Sequence, residues 1–466
     1  MTAVEKINQF NWRIPKTGAM NVDGIIFASE KLMASIQTDE SLKQVANVAT
    51  LPGIVEASFA MPDIHWGYGF PIGGVAAFDV NDGVVSPGGV GYDISCSVRL
   101  IRTELTIEDV KGKISGLVDT LFREIPTGVG SHRRDFKLTK AKEDEVLKKG
   151  ARWAVENGFG GAKDLNHIED GGCLNGADPG NVSERAKERG LDQLGTLGSG
   201  NHFLEVGFVS EIYDEAEAAR MGLFKNQVTV FQHTGSRGLG YQVCDDYLDL
   251  MIRAAQKYHI ELPDRQLCCA PIRSEEGETY LSAMAAAANF AMANHQMITH
   301  YVRGVFEDFF KMGPDDLKMD IVYHVSHNIA KFEEHNINGK VRRVLVHRKG
   351  ATRAFTGQPI LVPGDMGRSS YVLVGTKKAM EITFGSTCHG AGRMMSRSRA
   401  KREASGRNIE NELRQKGIII RGATMATIAE EMPEAYKDVA DVVDVVSGAG
   451  ISRKVARLVP LGVIKG

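Results

Sequence analysis

SPGGVGYDISCSVRLIR (86–102) is the stretch whose reading decides the fold. Its second half, SVRLIR, is a short β-like run. Its first half sets Gly88, Gly89 and Gly91 ahead of Asp93 and Cys96. Glycine favours irregular backbone, so the chemistry-bearing side chains precede the strand in a turn. On a regular strand Asp93 and Cys96, three positions apart, would point to opposite faces. The backbone must bend between them if both are to hold one ion.

Further strand-like runs are GVAAFDV (74–80), NQVTVFQ (226–232), MDIVYHV (319–325), KVRRVLVHR (340–348), QPILVPG (358–364) and SYVLVG (370–375). Helix-like stretches cover 210–224, 244–260, 280–311 and 396–417. Strands and helices do not alternate strictly, which favours an α+β fold over a doubly wound sheet. No repeat, low-complexity tract or linker interrupts the chain, so 1–466 is expected to be one interlocked domain. His233 closes VTVFQ and His327 closes IVYHVS. Side chains at strand ends project into the crevice where loops gather, so an active site is expected in a central cleft there.

The formal net charge of −2 gives no global attraction to a polyanion, so any nucleic acid must be met by a local patch. The six cysteines show no C-x-x-C pair and no regular spacing, which argues against a disulfide framework or structural zinc and for a reducing cytoplasm. The N-terminus lacks the basic start and apolar stretch of a signal peptide. YLSAMAAAANFAMAN (280–294), with Asn289, Asn294 and the adjoining His295, reads as an Ala-rich buried helix rather than a membrane span.

Asp93 and Cys96 make a plausible half-site for a divalent metal, which His202, His233 and His327 could complete. Taken singly, each has a plainer reading: a small buried thiol, or a hydrogen-bonded core imidazole. Together they share positions beside Gly or Asn, whereas His259, His300 and His335 sit in helix-like or charged surroundings and look structural, and His324 lies off the face of His327. Manganese, zinc, cobalt and iron all suit this mixed donor set. No P-loop is present, but GTLGSGNH, HTGSRGLG, PGDMGRSS and HGAGR are Gly-rich turns, three of them carrying an arginine: Arg237, Arg368 and Arg393. A guanidinium beside free N–H groups suits phosphate oxygens. His389, ahead of Gly390, Ala391 and Gly392, either attacks phosphorus or hydrogen-bonds phosphate. Arg397, Arg399, Lys401, Arg402 and Arg407 form a basic run, read either as a solvated helix face or as a track for a nucleic-acid backbone.

MPDIHWGYGFPIGG, SPGGVGYDISCSVR, GTLGSGNHFLEV, HTGSRGLG, HVSHNIAKFEEH, VHRKGATRA and GSTCHGAGR, with a C-terminal Lys-Gly, closely resemble the RtcB family of RNA ligases from about position 60 to the end. The resemblance implies that family's α+β fold, with mixed and antiparallel sheets flanked by helices. It implies joining of RNA 2′,3′-cyclic phosphate or 3′-phosphate ends to 5′-hydroxyl ends, with GTP and two manganese ions, in tRNA splicing or RNA repair. His389 falls where the family's histidine is guanylylated, with Arg393 beside it offsetting phosphate charge. Cys96 matches the thiolate shared by two metals, and Asp93, His202, His233 and His327 match the other ligands.

Asn201, Phe203, Glu205, Asn328, the turn Pro363, Gly364, Asp365 and Met366, Ser370, Gly390, Ala391, Gly392 and Lys465 match guanylate-binding positions. Arg237, Arg397, Arg399 and Arg402 are candidate RNA contacts. The chain departs from the family at Asp365, where several members carry a small hydroxyl residue, and at Met292 and His295, where an aromatic residue and arginine are frequent. The partners implied are RNA ends and an archease-type activator, with no membrane and a monomeric state. Oxidation of Cys96 is expected to inactivate such an enzyme. An alternative use of the same ligands is a dinuclear phosphatase or nuclease acting on RNA ends, with no covalent nucleotide.

Overall fold

Ser97–Thr106 is one strand of an eight-stranded sheet in the computed structural model, which describes residues 3–466. The sheet runs Asp320–Ser326, Ser97–Thr106, Gln227–Thr234, Phe203–Ile212, Ser452–Lys465, Ser370–Gly375 and Pro359–Val362, each strand antiparallel to its neighbours. Ile419–Gly422 adds in parallel to Ser452–Lys465. The first and last strands of that path lie against each other, so the sheet curls towards a barrel.

Antiparallel pairing sets the start of one strand beside the ends of its neighbours. Ser97 pairs with both Thr234 and Ser326, and Phe203 pairs with both His233 and Lys465. Cys96, His202, His233, His327 and the chain's penultimate residue therefore gather at one end of this sheet.

A second sheet has seven strands in the order Glu5–Lys6, Asn11–Ile14, Asp23–Phe27, Ile54–His65, Ile72–Asp79, Lys340–Lys349 and Asn328–Ile337. The chain crosses between the sheets at His327, the single residue separating Asp320–Ser326 from Asn328–Ile337. That residue is tied on both sides: its N–H donates to the Cys96 carbonyl at 3.0 Å, and its carbonyl accepts from Gly350 at 2.7 Å. The architecture is one large α+β domain, as the sequence suggested.

The helix Glu275–Phe310 runs 36 residues, about 54 Å at 1.5 Å per residue. Ser274 caps it by accepting from the Gly277 N–H at 3.1 Å, and Glu275, Glu276 and Glu278 complement the positive end of its dipole. Its middle, Ala283 to Thr299, is buried on every side. Among the described residues no helix is long and apolar enough to cross a membrane. Its buried amides do local work: Asn294 accepts from the N–H groups of Gly195 and Thr196 and donates to the carbonyls of Thr196 and Gly235, which fixes the loops leading to His202 and following His233.

Several element expectations need correcting. The stretch 210–224 is strand as far as Ile212, then a short helix, Glu215–Met221. The helix expected at 244–260 begins earlier, at Arg237, so Gly238 and Gly240 of the supposed loop lie inside it, and it ends at Lys257. The basic stretch 396–417 is two helices, Arg397–Glu403 and Ile409–Gln415, broken near Gly406, whose φ of 78° no continuing helix allows. Met292 and His295 are core residues of the long helix; His295 Nε2 lies 3.0 Å from the Thr234 carbonyl, directly behind His233.

Candidate metal centre and active-site cavity

The bend required between Asp93 and Cys96 is present. The Cys96 N–H donates to the Asp93 carbonyl at 3.0 Å, and Ser95 takes a left-handed φ of 55°. That turn puts the carboxylate and the thiol on the same side. Cys96 Sγ lies 3.4 Å from His202 Nε2 and 3.2 Å from His233 Nε2. His233 Nε2 is 3.2 Å from His327 Nε2, and His202 Nε2 is 2.8 Å from Asp93 Oδ2. Two triads result, Cys96 with His233 and His327, and Asp93 with Cys96 and His202, each with all donor atoms within 4.8 Å and Cys96 common to both.

The donor chemistry fits cations. His202 Nδ1 lies 3.1 Å from the Leu197 carbonyl and must carry its hydrogen there, which turns the Nε2 lone pair towards the Asp93 carboxylate. Two lone pairs at that separation repel unless positive charge lies between them. Burial, with neighbouring imidazoles, pushes His233 and His327 well below the ordinary histidine value, so both present neutral nitrogens. Burial and then Asp93 push the Cys96 thiol well up, so the thiolate needs a cation to form.

His389 stands beside this cluster, its ring centroid 4.8 Å from that of His327. Its Nδ1 lies 2.6 Å from Oδ2 of Asp63, a fully buried carboxylate that also accepts the backbone N–H groups of His389 at 3.0 Å and Gly390 at 3.3 Å. Burial opposes ionisation of Asp63, but His389 and Lys437 hold it below the usual carboxylate range. An imidazole that donates through Nδ1 keeps its Nε2 lone pair free.

Asp93, Cys96, His233, His327 and His389 line a cavity of about 570 Å³, and the buried His202 and Asp63 stand behind its wall. Of the expected guanylate positions, Asn201, Phe203, Glu205, Asn328, Pro363, Gly364, Asp365, Met366, Gly390, Ala391, Gly392 and Lys465 reach it. Ser370 is not among the lining residues; its hydroxyl accepts the Gly364 N–H at 3.1 Å and so shapes the turn. Asn328 is engaged at both ends, donating to the Asp93 carbonyl at 3.1 Å and accepting from Gly350 at 2.9 Å. Burial, with Asp365 adding to it, raises Glu205 to about 8, and burial raises Asp365 itself to about 6 against the opposing charge of Arg368.

The arginines depart most from expectation. Arg393 lines the cavity, but its donors go to the Met395 carbonyl, Glu431, the Tyr436 hydroxyl and the Glu430 carbonyl, so it anchors a wall instead of presenting an open fork. Arg368 lies 3.4 Å from Asp365, and Arg237 Nε donates to Thr196 Oγ1 at 3.2 Å outside the cavity lining. Of the basic run, Arg397 lines the cavity, Arg399 pairs with Glu403 at 2.7 Å, Lys401 pairs with Glu430 at 2.7 Å, and Arg402 is exposed.

Sequence reasoning passed over Asp63, Glu431, Lys437 and Lys349. Asp63 had a signal: a lone carboxylate closing the apolar run ASFAMP. Glu431 is held below its ordinary value by Lys465 and Arg393 against burial, and nothing in EMPEAYKD announces that. Lys437 spans two site segments, its ammonium donating to the Pro62 carbonyl at 3.0 Å and to that of Ile64, and its N–H to the Gly392 carbonyl at 3.0 Å. Lys349 is pushed down to about 7 by burial and donates to the carbonyls of Tyr68 and Phe70.

A thiol, carboxylate and imidazole cluster beside a carboxylate-held histidine, at the strand ends of an α+β domain, defines an enzyme class with a candidate metal centre. Similarity to known proteins supplies the family. The description "tRNA-splicing ligase RtcB" matches residues 44–466. The chain is 55% identical to the tRNA-splicing ligase RtcB of Archaeoglobus fulgidus, over 99% of each chain, and 54% identical to that of Thermococcus kodakarensis, over 100% of this chain and 99% of the relative. It is 53% identical to the RNA-splicing ligase RtcB of Mycobacterium bovis, over 91% of this chain and all of the relative. The chain belongs to the RtcB family and is an RNA ligase.

Proposed function

We propose that this ligase joins RNA 2′,3′-cyclic phosphate or 3′-phosphate ends to 5′-hydroxyl ends, using GTP and two manganese ions, by way of guanylylated His389. The observation that carries the reading is His389, held from behind by Asp63, lining the same cavity as Asp93, Cys96, His233 and His327 of the donor triads. Cys96, His233 and His327 would hold one cation, and Asp93, Cys96 and His202 the other. Bound divalent cations would supply Lewis-acid neutralisation of phosphate oxygens.

His389 Nε2 forms a bond to the α-phosphorus of GTP, and pyrophosphate leaves with the electron pair. The positive charge left on the ring is balanced by Asp63 through the Nδ1–H bond. A cyclic phosphate is first opened by water, the 2′-oxygen leaving. An oxygen of the RNA 3′-phosphate then displaces His389, and the P–N electron pair returns to Nε2. The 5′-hydroxyl oxygen attacks the RNA phosphorus, its proton is lost to a base or solvent, and GMP departs as the phosphodiester closes. Glu205, neutral at pH 7, and Asp365 offer carboxyl groups to the guanine edge, while Lys465, donating to the Asn201 carbonyl at 3.3 Å, orders that wall. Arg397, Arg399 and Arg402 offer local charge to an RNA backbone.

Similarity to proteins named tRNA-splicing ligase supports tRNA halves as the substrate of this proposal, and broken RNA with the same ends suits the same chemistry. A cytoplasmic monomer served by an archease-type activator completes the proposal. The test is incubation with α-labelled GTP and manganese. An acid-labile, alkali-stable label is expected on the protein and absent from His389→Ala. A dinuclear hydrolase would take up no label, and retention of label in His389→Ala would reject the nucleophile.

A further inference from the structure

Part of the cavity wall carries neither donor triads nor guanylate positions. It is built from Tyr68, Tyr92 and Tyr241. Tyr92 immediately precedes Asp93, so this wall starts at the metal loop. The rings of Tyr92 and Tyr241 are stacked, with centroids 4.8 Å apart and 25° between planes, and Tyr68 meets Tyr92 edge-on at 5.6 Å. Tyr241, on the helix Arg237–Lys257, is 47% exposed, and the Arg189 guanidinium lies 5.5 Å from its centroid. Among the described residues Arg189 makes one side-chain bond, to Gln242 at 2.9 Å. Core aromatics are packed on all sides, whereas this row runs from a buried catalytic loop to solvent.

We infer that the exposed ring of Tyr241, backed by Tyr92 stacked behind it and by Tyr68 edge-on to Tyr92, is a stacking platform for an unpaired terminal nucleotide of an RNA end entering the cavity. This deepens the ligase reading and rests on it. Every base has a π-face, so such a row binds single strands with little regard to sequence. It also suits a chain whose net charge of −2 supplies no general attraction to RNA. Arg189, beside the outermost ring, offers a cation to that base or to its phosphate. A duplex end, with its terminal bases paired and stacked, gains less from the platform than a frayed or single-stranded one.

The test is fluorescence anisotropy with a short labelled single-stranded RNA bearing a 5′-hydroxyl and a 3′-phosphate, without GTP. Tyr241→Ala is expected to weaken binding about tenfold, while Tyr241→Phe, which keeps the ring, stays within about twofold. An RNA abasic at its terminal nucleotides should bind the parent protein as weakly as intact RNA binds Tyr241→Ala. The two losses should not add, because they remove the same contact. Thermal melts of both variants check folding. Equal affinity of Tyr241→Ala and parent, or tight binding of the abasic RNA, overturns the platform. Absence of GTP label on the parent protein would instead overturn the ligase mechanism and leave the binding result interpretable by itself.

Discussion

Asp63→Asn is the most telling perturbation. The substitution keeps the shape of a fully buried side chain and removes its charge. The lost charge faces His389 Nδ1 at 2.6 Å and two backbone N–H groups at 3.0 and 3.3 Å, while Oδ1 has no hydrogen-bond partner among the described residues, so the amide oxygen can keep the place of Oδ2 with the nitrogen on the other side. A hydrogen bond to a charged group contributes about 1.5–3 kcal/mol, and in the proposed guanylylation most of it would be required as the ring becomes positive on bonding to phosphorus. The rate of His389 labelling should therefore fall roughly 10- to 150-fold. The assay is single-turnover incorporation of α-labelled GTP under saturating manganese, with melting temperature as the folding control. A folded Asp63→Asn variant that labels within about twofold of the parent would refute the argument that this carboxylate balances the ring.

Cys96→Ser replaces the one donor common to both triads, so metal analysis after dialysis should show loss at both sites while the fold survives; loss confined to a single ion would contradict a shared thiolate. Lys437→Met should slow His389 labelling about tenfold, with partial rescue by Lys437→Arg, because the ammonium binds the carbonyls on either side of Asp63; an unchanged rate would show that the clamp is dispensable. Glu143 is buried with neither oxygen hydrogen-bonded among the described residues, and burial raises it to about 8. A raised carboxyl is protonated in the folded state and ionised in the unfolded chain, so it destabilises increasingly from about pH 4.5 to 8. Glu143→Gln should thus melt higher than the parent at pH 8 and equally at pH 4, and the reverse order would show the sign to be wrong. Glu333 is held at about 2 by Arg348 and His335 against burial. Its depressed value stabilises the fold above the unfolded carboxyl range, and that stability is lost as the pH falls from about 4.5 through 2, which acid melts of Glu333→Gln against the parent would reveal as a narrowing gap.

Much of the site was legible because its residues lie at the ends of short runs rich in β-branched and aromatic residues. VTVFQ and IVYHV announce themselves, and His233 and His327 follow directly. The bend between Asp93 and Cys96 followed from spacing alone, and the left-handed Ser95 supplies it. Ile54–His65 and Ser452–Lys465 escaped notice since Pro62 and Pro460 interrupt their pattern, which register shifts within their pairings accommodate. The arginines misled for a different reason: a guanidinium in a Gly-rich turn suits phosphate, yet Arg393 meets Glu431 and Tyr436 from a segment about forty residues away. No local pattern carries that information.

Sequence by itself determined many of the strands, the long buried helix, the α+β class and the set of candidate donor atoms, because local pattern and side-chain chemistry are read without the fold. Tertiary structure alone decided which donors share a centre, which arginines are free, and that Asp63 holds His389. Those depend on antiparallel register and on the crossing between sheets at His327, where residues more than three hundred positions apart, such as Asp63 and His389, come within hydrogen-bonding distance. Burial there removes the water that would otherwise screen each charge, so the partner supplied by the fold, and not the residue's own identity, sets what it does.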